Sequence, residues 1–224
     1  MPSTSNKRCR IFLLSPANAG GERGRLLLRE RASFDLAVRL RTEGATIGEV
    51  FSFISGLYFR GKLAYSEVFA APPRGVPGSF VIASGRGLMP PDTRITFEEL
   101  KSIASIPVDA DEPRYREPLE RNARILAERA GPDCEIVLLG SIASTKYLEP
   151  LVEIFGPHLL FPADFVGRGD MGRGGLMLRC AGAGTELNYV PAADAPRHGP
   201  RAPNLPPRPN SLLPRPPKTR TNPG

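Results

Sequence analysis

The apolar positions of this chain fall into short unbroken runs, separated by longer segments with helical spacing. Residues 11–14 (Ile11, Phe12, Leu13, Leu14), 80–83 (Phe80, Val81, Ile82, Ala83), 136–139 (Ile136, Val137, Leu138, Leu139) and 159–161 (Leu159, Leu160, Phe161) are continuously apolar rather than alternating. This is the pattern of strands buried on both faces, as in a parallel sheet. Residues 22–41 read as helical in two pieces, with Ser33 placed to cap the second. In residues 47–71, Val50, Phe51, Ile54, Leu57, Tyr58, Leu63 and Val68 recur near helical spacing. Gly56 and Gly61 interrupt that segment and predict a break between them, since a helical glycine costs about 1 kcal/mol against alanine. Thr96 and Glu99 have capping-box spacing and start a helix through Ile103. Residues 118–130 place Leu119, Ala123, Leu126 and Ala127 on one helical face, and a further helix is expected around 147–155. Residues 166–175 read as a glycine loop, and 176–180 with 187–190 as a closing strand pair.

Strands alternating with helices give an α/β fold, a three-layer α/β/α arrangement with a mainly parallel central sheet. The expected domain spans residues 8–190, after a polar, disordered 1–7. From residue 191 the composition changes: 11 of the 25 prolines lie in the last 34 residues, and large apolar side chains are scarce. Such a segment buries too little surface to offset its ordering entropy, so 191–224 reads as a disordered basic tail.

Charge changes the picture less than it first suggests. The formal net charge is +7, but residues 1–10 and 191–224 together carry +8, which leaves the body at −1. The body therefore lacks the charge of a nucleic-acid groove. Cys9, Cys134 and Cys180 are odd in number and lie in no metal-ligand spacing. They read as free thiols of a reducing compartment, and with no span-length apolar run the expectation is a cytoplasmic protein with no membrane contact. Only two histidines are present, His158 and His198, so neither a His-based triad nor a His metal site is expected. No Walker A pattern or spaced glycine fingerprint follows the first strand. No metal or cofactor is expected.

What remains is a set of loops at the ends of the four apolar runs. They carry Ser15 and Asn18, then Ser84 and Arg86, then Ser141 and Lys146, then Arg168, Asp170 and Arg173. In a parallel sheet all four loops converge on one edge. Serines, arginines and a lysine beside free helix N-terminal amides suit a phosphate, a nucleotide or a base. Asp170 is the candidate catalytic carboxylate, able to orient water or hydrogen-bond a base. Tyr58, Arg60 and Lys62 sit at the expected helix break, where they can line the same cleft or simply snorkel from a helix. Gly140-Ser141 and the stretch from Arg168 to Arg173 are expected to face one another across the strand ends around a phosphate or another oxyanion.

Residues 11–18 (Ile-Phe-Leu-Leu-Ser-Pro-Ala-Asn) and 55–58 (Ser-Gly-Leu-Tyr) resemble the YaaA family of cytoplasmic DNA-associated stress proteins. That family opens with a strand running into Ser-Pro-Ala-Lys and later carries Ser-Gly-Leu-Tyr. Residues 58–65 and 80–92 are also similar to uncharacterised relatives of the uracil-DNA-glycosylase-like group. The resemblance covers roughly residues 10–95. Asn18 stands where the first motif has lysine, and Arg86 stands near the lysine of the second. The resemblance implies an α/β/α fold and a nucleobase or nucleic-acid context, without a transferable mechanism.

The functional expectation is thus a nucleotide-, nucleobase- or nucleic-acid-related protein with a strand-end anion site. Its partner would be a phosphate-bearing small molecule or nucleic acid. The competing class is a non-enzymatic adaptor for an acidic partner. Neither the reaction nor the oligomeric state follows from the sequence.

Overall fold

Four consecutive residues with no solvent exposure, Ile11 to Leu14, form the centre of the sheet. They belong to β1 (Arg10–Leu14), which pairs in parallel with β3 (Ser79–Ala83) on one side and β6 (Glu135–Leu139) on the other. The computed structural model describes residues 8–143, 146–203 and 205. β7 (Leu159–Pro162) adds in parallel to β6, while β4 (Gly87–Met89) and β8 (Tyr189–Pro191) close the two edges in antiparallel fashion. The order is β4-β3-β1-β6-β7-β8. A two-residue ladder joins β2 (Ala45–Thr46) to β5 (Arg94–Ile95) beside this sheet.

Four helices lie between β1 and β3: α1 (Glu22–Leu27), α2 (Asp35–Thr42), α3 (Ile47–Ser55) and α4 (Leu57–Phe69). α5 (Phe97–Ser105) and α6 (Pro113–Ala130) precede β6, α7 (Leu148–Phe155) joins β6 to β7, and α8 (Asp170–Ala183) joins β7 to β8. The chain moves one way along the sheet from β1 to β3 and the other way from β3 to β6 and β7. Right-handed crossovers then place α4 on one face and α6 and α7 on the other. α8 packs on α4, and α6 packs on α7, completing three layers of α/β/α.

Local chemistry explains most boundaries. Thr96 and Glu99 form the expected capping box at the start of α5. The break in the 47–71 segment falls at Gly56 alone (φ 59°), and Gly61 lies inside α4. α6 begins at Pro113, five residues before the expected start at 118, because Glu112 caps it and a proline at the first helical position loses no bond.

Three expectations are corrected. The glycine-rich stretch 166–175 is not a loop throughout: α8 starts at Asp170 and continues through 176–180, so the expected closing strand there is helix. Propensity failed because Gly174 serves packing, as shown below. The body does not end at residue 190. Pro191 completes β8, Ala192 and Ala195 are buried, and the Gly167 carbonyl accepts from the Ala202 amide at 3.1 Å. The tail boundary therefore moves to about residue 203, and the remaining tail and residues 1–7 lie outside the described residues apart from Leu205. Finally, Cys9 and Cys134 are not free thiols. They immediately precede the paired residues Arg10 and Glu135, and a disulfide joins them. With them goes the thiol argument for a reducing compartment. Among the described helices none is long and apolar enough to cross a membrane.

Candidate functional site

The sheet reverses its direction of winding between β1 and β6, and such a switch point opens a crevice outside the carboxyl ends of the strands. β1 leads there into Ser15, β3 into Ser84 and β6 into Gly140-Ser141. A half-open cleft of about 550 Å³ lies over these ends. Phe51, Ile103, Ile106 and Val108 give it an apolar wall, and Asn18, Ser84, Asp109, Lys146 and Tyr147 give it polar groups. Asn18 and Lys146 are exposed, whereas Ser84 is buried.

Beneath the cleft the strand ends meet α4 and α8 in a polar cluster. Lys62 of α4 is 1% exposed, and its Nζ donates to the Ser15 carbonyl at 3.0 Å and lies 2.7 Å from Ser15 Oγ. The same nitrogen sits 4.0 Å from the centre of the Tyr58 ring. Burial lowers the Lys62 amine from 10.5 to about 7, with Asp170 opposing the shift and Arg173 adding to it. Tyr58 is 5% exposed, and its hydroxyl makes no hydrogen bond of good geometry among the described residues, with Arg173 the nearby donor that acts on it. Burial raises its pKa, partly offset by the nearby Arg173 guanidinium, so the hydroxyl stays protonated.

Tyr147 links cluster and cleft. Its hydroxyl accepts from the Ser141 amide at 3.0 Å, donates to the Ser141 carbonyl at 2.7 Å and lies within reach of the Ser15 side chain. Burial raises its pKa, against the effect of the Ser141 backbone bond. Gly140 permits this approach, because a Cβ there would stand 2.7 Å from Ser15 Cβ and 3.1 Å from the Tyr147 hydroxyl.

α8 reaches the cluster through a helix crossing without side chains. A Cβ on Gly61 would stand 2.7 Å from the Gly174 carbonyl, and one on Gly174 would stand 2.7 Å from the Leu57 carbonyl. Two glycines thus let α4 and α8 touch backbone to backbone. This contact brings the first turn of α8, with Asp170 and Arg173, beside Tyr58 and Lys62.

The expected site residues divide accordingly. Asn18, Ser84 and Lys146 line the cleft, and Ser15, Tyr58, Ser141, Asp170 and Arg173 gather in or beside the cluster beneath it. The expected oxyanion site between Ser141 and Arg173 takes a different form. The Ser141 amide is occupied by Tyr147, and Arg173 Nε donates to the Phe165 carbonyl at 3.2 Å while Nη1 stands 3.8 Å from Asp170. Both ends of the pair have protein partners. Asp170 keeps an exposed side chain in the first turn of α8.

Three residues fall outside the site. Arg86 pairs with Glu99 at 3.0 Å, and Arg168 donates to the Asp164 and Pro203 carbonyls, holding the C-terminal segment. Arg60 is exposed on α4 and lines none of the cleft. A strand-end loop or helix break was the only ground for selecting them, and helical phase sends Arg60 outward while Lys62 points in.

Tyr147 and Asp109 escaped the sequence reading, and Lys62 was not separated from its neighbours. For Lys62 a signal existed. It falls four residues after Tyr58 and three before Tyr65, in the middle of a buried helical stripe. Tyr147 and Asp109 had none, since each lies in a connection whose path only the tertiary fold defines.

Among the described residues no group of three or more histidine, cysteine or carboxylate side chains is placed to hold a metal ion. No protein-family model matches the chain, and comparison with curated proteins and with solved structures found no match.

Proposed function

We propose that the chain binds a nucleotide-class small molecule, a nucleobase with or without its sugar phosphate, in the cleft over β1, β3 and β6. One observation carries this reading: the switch-point cleft combines an apolar wall with a few separated polar groups in about 550 Å³. That volume falls within the range of small-molecule sites, roughly 300–1,000 Å³. A planar base suits the wall of Phe51, Ile103, Ile106 and Val108. The Asn18 amide offers one acceptor and one donor group, the pair that a base edge requires. Lys146 supplies a point charge for a phosphate, and Asp109 can accept from a sugar hydroxyl.

Charge favours the small molecule over a nucleic-acid strand. Lys146 is the only basic residue lining the cleft among the described residues, and Asp109 offsets it. A strand-binding groove needs several cations to neutralise successive phosphates.

The test is a thermal-shift series on the full chain with nucleobases, nucleosides and nucleoside monophosphates. A ligand at a hundredfold excess over its dissociation constant contributes about 2.7 kcal/mol, which raises Tm by roughly 5–10 °C in a domain of this size. At least one compound is expected to do so, with the effect reduced in Asn18→Ala and Lys146→Ala. Equal and negligible shifts across the whole series overturn the proposal.

A further inference from the structure

We infer that Ser15 and Lys62 form a serine–lysine dyad, with Lys62 as the general base for Ser15, and that this dyad carries acyl transfer on ester-type substrates entering from the cleft. The inference does not depend on which ligand occupies the cleft.

The geometry is that of a nucleophile and its base. Lys62 Nζ lies 2.7 Å from Ser15 Oγ, at the carboxyl end of the central strand and at the switch point of the sheet. No other lysine, arginine or carboxylate among the described residues is as buried as Lys62. None of the described carboxylates pairs with it, and Asp170 acts on it only through space. A structural lysine buried for stability would be expected to have an anionic partner. This one has a serine.

Burial favours a neutral amine. Nζ donates to the Ser15 carbonyl at 3.0 Å and to Ser15 Oγ at 2.7 Å, and the Tyr58 ring centre lies 4.0 Å away; once the amine has lost its proton, its lone pair can accept from Ser15 Oγ–H over the same 2.7 Å. The groups facing Lys62 are Ser15 just after β1, Tyr58 and Phe59 from α4, and Asp170 and Arg173 from α8, with Tyr147 beside Ser15. Burial outweighs the effect of Asp170, so a substantial fraction of the amine is unprotonated near neutral pH.

A second, independent feature points to a reacting oxygen. The Tyr58 hydroxyl is buried, protonated and without a hydrogen bond of good geometry among the described residues. Its ring lies against Lys62, and Arg173 is the side chain near its hydroxyl, so the O–H itself is still available as a donor to an oxyanion. The next residues after Ser15, Pro16 and Ala17, already line the cleft, and bare Gly140 lies against the Ser15 side chain.

The chemistry balances without a metal or redox partner. Ser15 Oγ attacks the ester carbonyl carbon, and its proton passes to Lys62 Nζ. The resulting oxyanion collapses, the bond to the leaving alcohol oxygen breaks, and the Lys62 ammonium returns the proton to that oxygen. Water then attacks the Ser15 ester, Lys62 takes and returns its proton, and the carboxylic acid leaves with Ser15 restored. One ester and one water become one acid and one alcohol.

The experiment is labelling of the full chain with a fluorophosphonate, in which Ser15 Oγ would bond to phosphorus as fluoride leaves, followed by peptide mass mapping. The expected result is one adduct, on Ser15, absent in Ser15→Ala and formed at least tenfold more slowly in Lys62→Met. In the wild-type chain the labelling rate should rise with pH through a single ionisation near 7, the value that burial gives Lys62. That profile keeps the test decisive even if Lys62→Met fails to fold. Absence of a Ser15 adduct on folded wild-type protein, a Ser15 rate unchanged in folded Lys62→Met, or a profile rising only through a lysine of ordinary basicity overturns the dyad. Any of these leaves the thermal-shift series untouched, and a silent thermal-shift series leaves the labelling result untouched.

Discussion

Gly61 and Gly174 are in backbone contact: a Cβ on Gly61 would stand 2.7 Å from the Gly174 carbonyl and 3.0 Å from its Cα. This crossing sets the position of the first turn of α8, and so of Arg173 and Asp170, relative to Lys62. Gly174→Ala should therefore destabilise the fold by roughly 1–3 kcal/mol, the usual cost of overpacking. Urea denaturation measures it. A change within about 0.5 kcal/mol would mean that the two helices do not meet as described.

Lys62 predicts a pH-dependent stability with a defined sign. Its pKa is 10.5 in the unfolded chain and about 7 in the fold. Below about 7 both states hold the proton, and the fold carries the full cost of a buried charge. Between about 7 and 10.5 the unfolded state holds more protons, so stability rises with pH by up to roughly 1.4 kcal/mol per unit. Comparing wild type with Lys62→Met by urea denaturation cancels the other titrations. The difference should move in favour of wild type by a few kcal/mol between about pH 6 and about pH 10. A difference that stays flat places the charge in solvent.

The Cys9–Cys134 disulfide closes a loop that holds β1 to β5 and ends immediately before β6. Reduction should lower unfolding stability by roughly 2–4 kcal/mol. Alkylation followed by intact mass gives a direct check. In denaturant without reductant only Cys180 should react, and all three cysteines should react after reduction. Three reactive thiols without reductant contradict the bond.

Removing the chain beyond Val190 takes away the β8 residue Pro191, the burial of Ala192 and Ala195, and the Arg168–Pro203 contact. Tm should fall by roughly 4–8 °C, equivalent to about 2 kcal/mol in a domain of this size. An unchanged Tm would restore the boundary at 190.

Much of this fold was legible because the central strands bury both faces, which leaves unbroken apolar runs that no surface strand shows. β1, β3, β6 and β7 and their parallel layering follow from that alone. α8 was not legible, since a segment with glycines at 169, 172, 174 and 175 has loop propensity, and only the presence of α4 turns Gly174 into an advantage. Residues 191–203 misled for a similar reason: composition marks prolines as unable to form a core but cannot show that alanines between them fill an existing one. At the site, strand ends located Ser15, Ser84 and Ser141 without giving their partners. Lys62, Tyr147 and Asp109 reach the site through packing, and only the first left a mark in the helical stripe.

The central claim is that the switch-point cleft holds a nucleotide-class ligand, and isothermal titration calorimetry addresses it most directly. The full chain would be titrated with the best nucleoside monophosphate of the thermal-shift series and with the corresponding nucleoside. The account predicts saturable one-to-one binding, weakened by about 1.5–3 kcal/mol when either the phosphate or the Lys146 ammonium is removed, with little further loss when both are. Binding that leaves Lys146→Ala and Asn18→Ala unaffected, or no saturable binding at all, would contradict it.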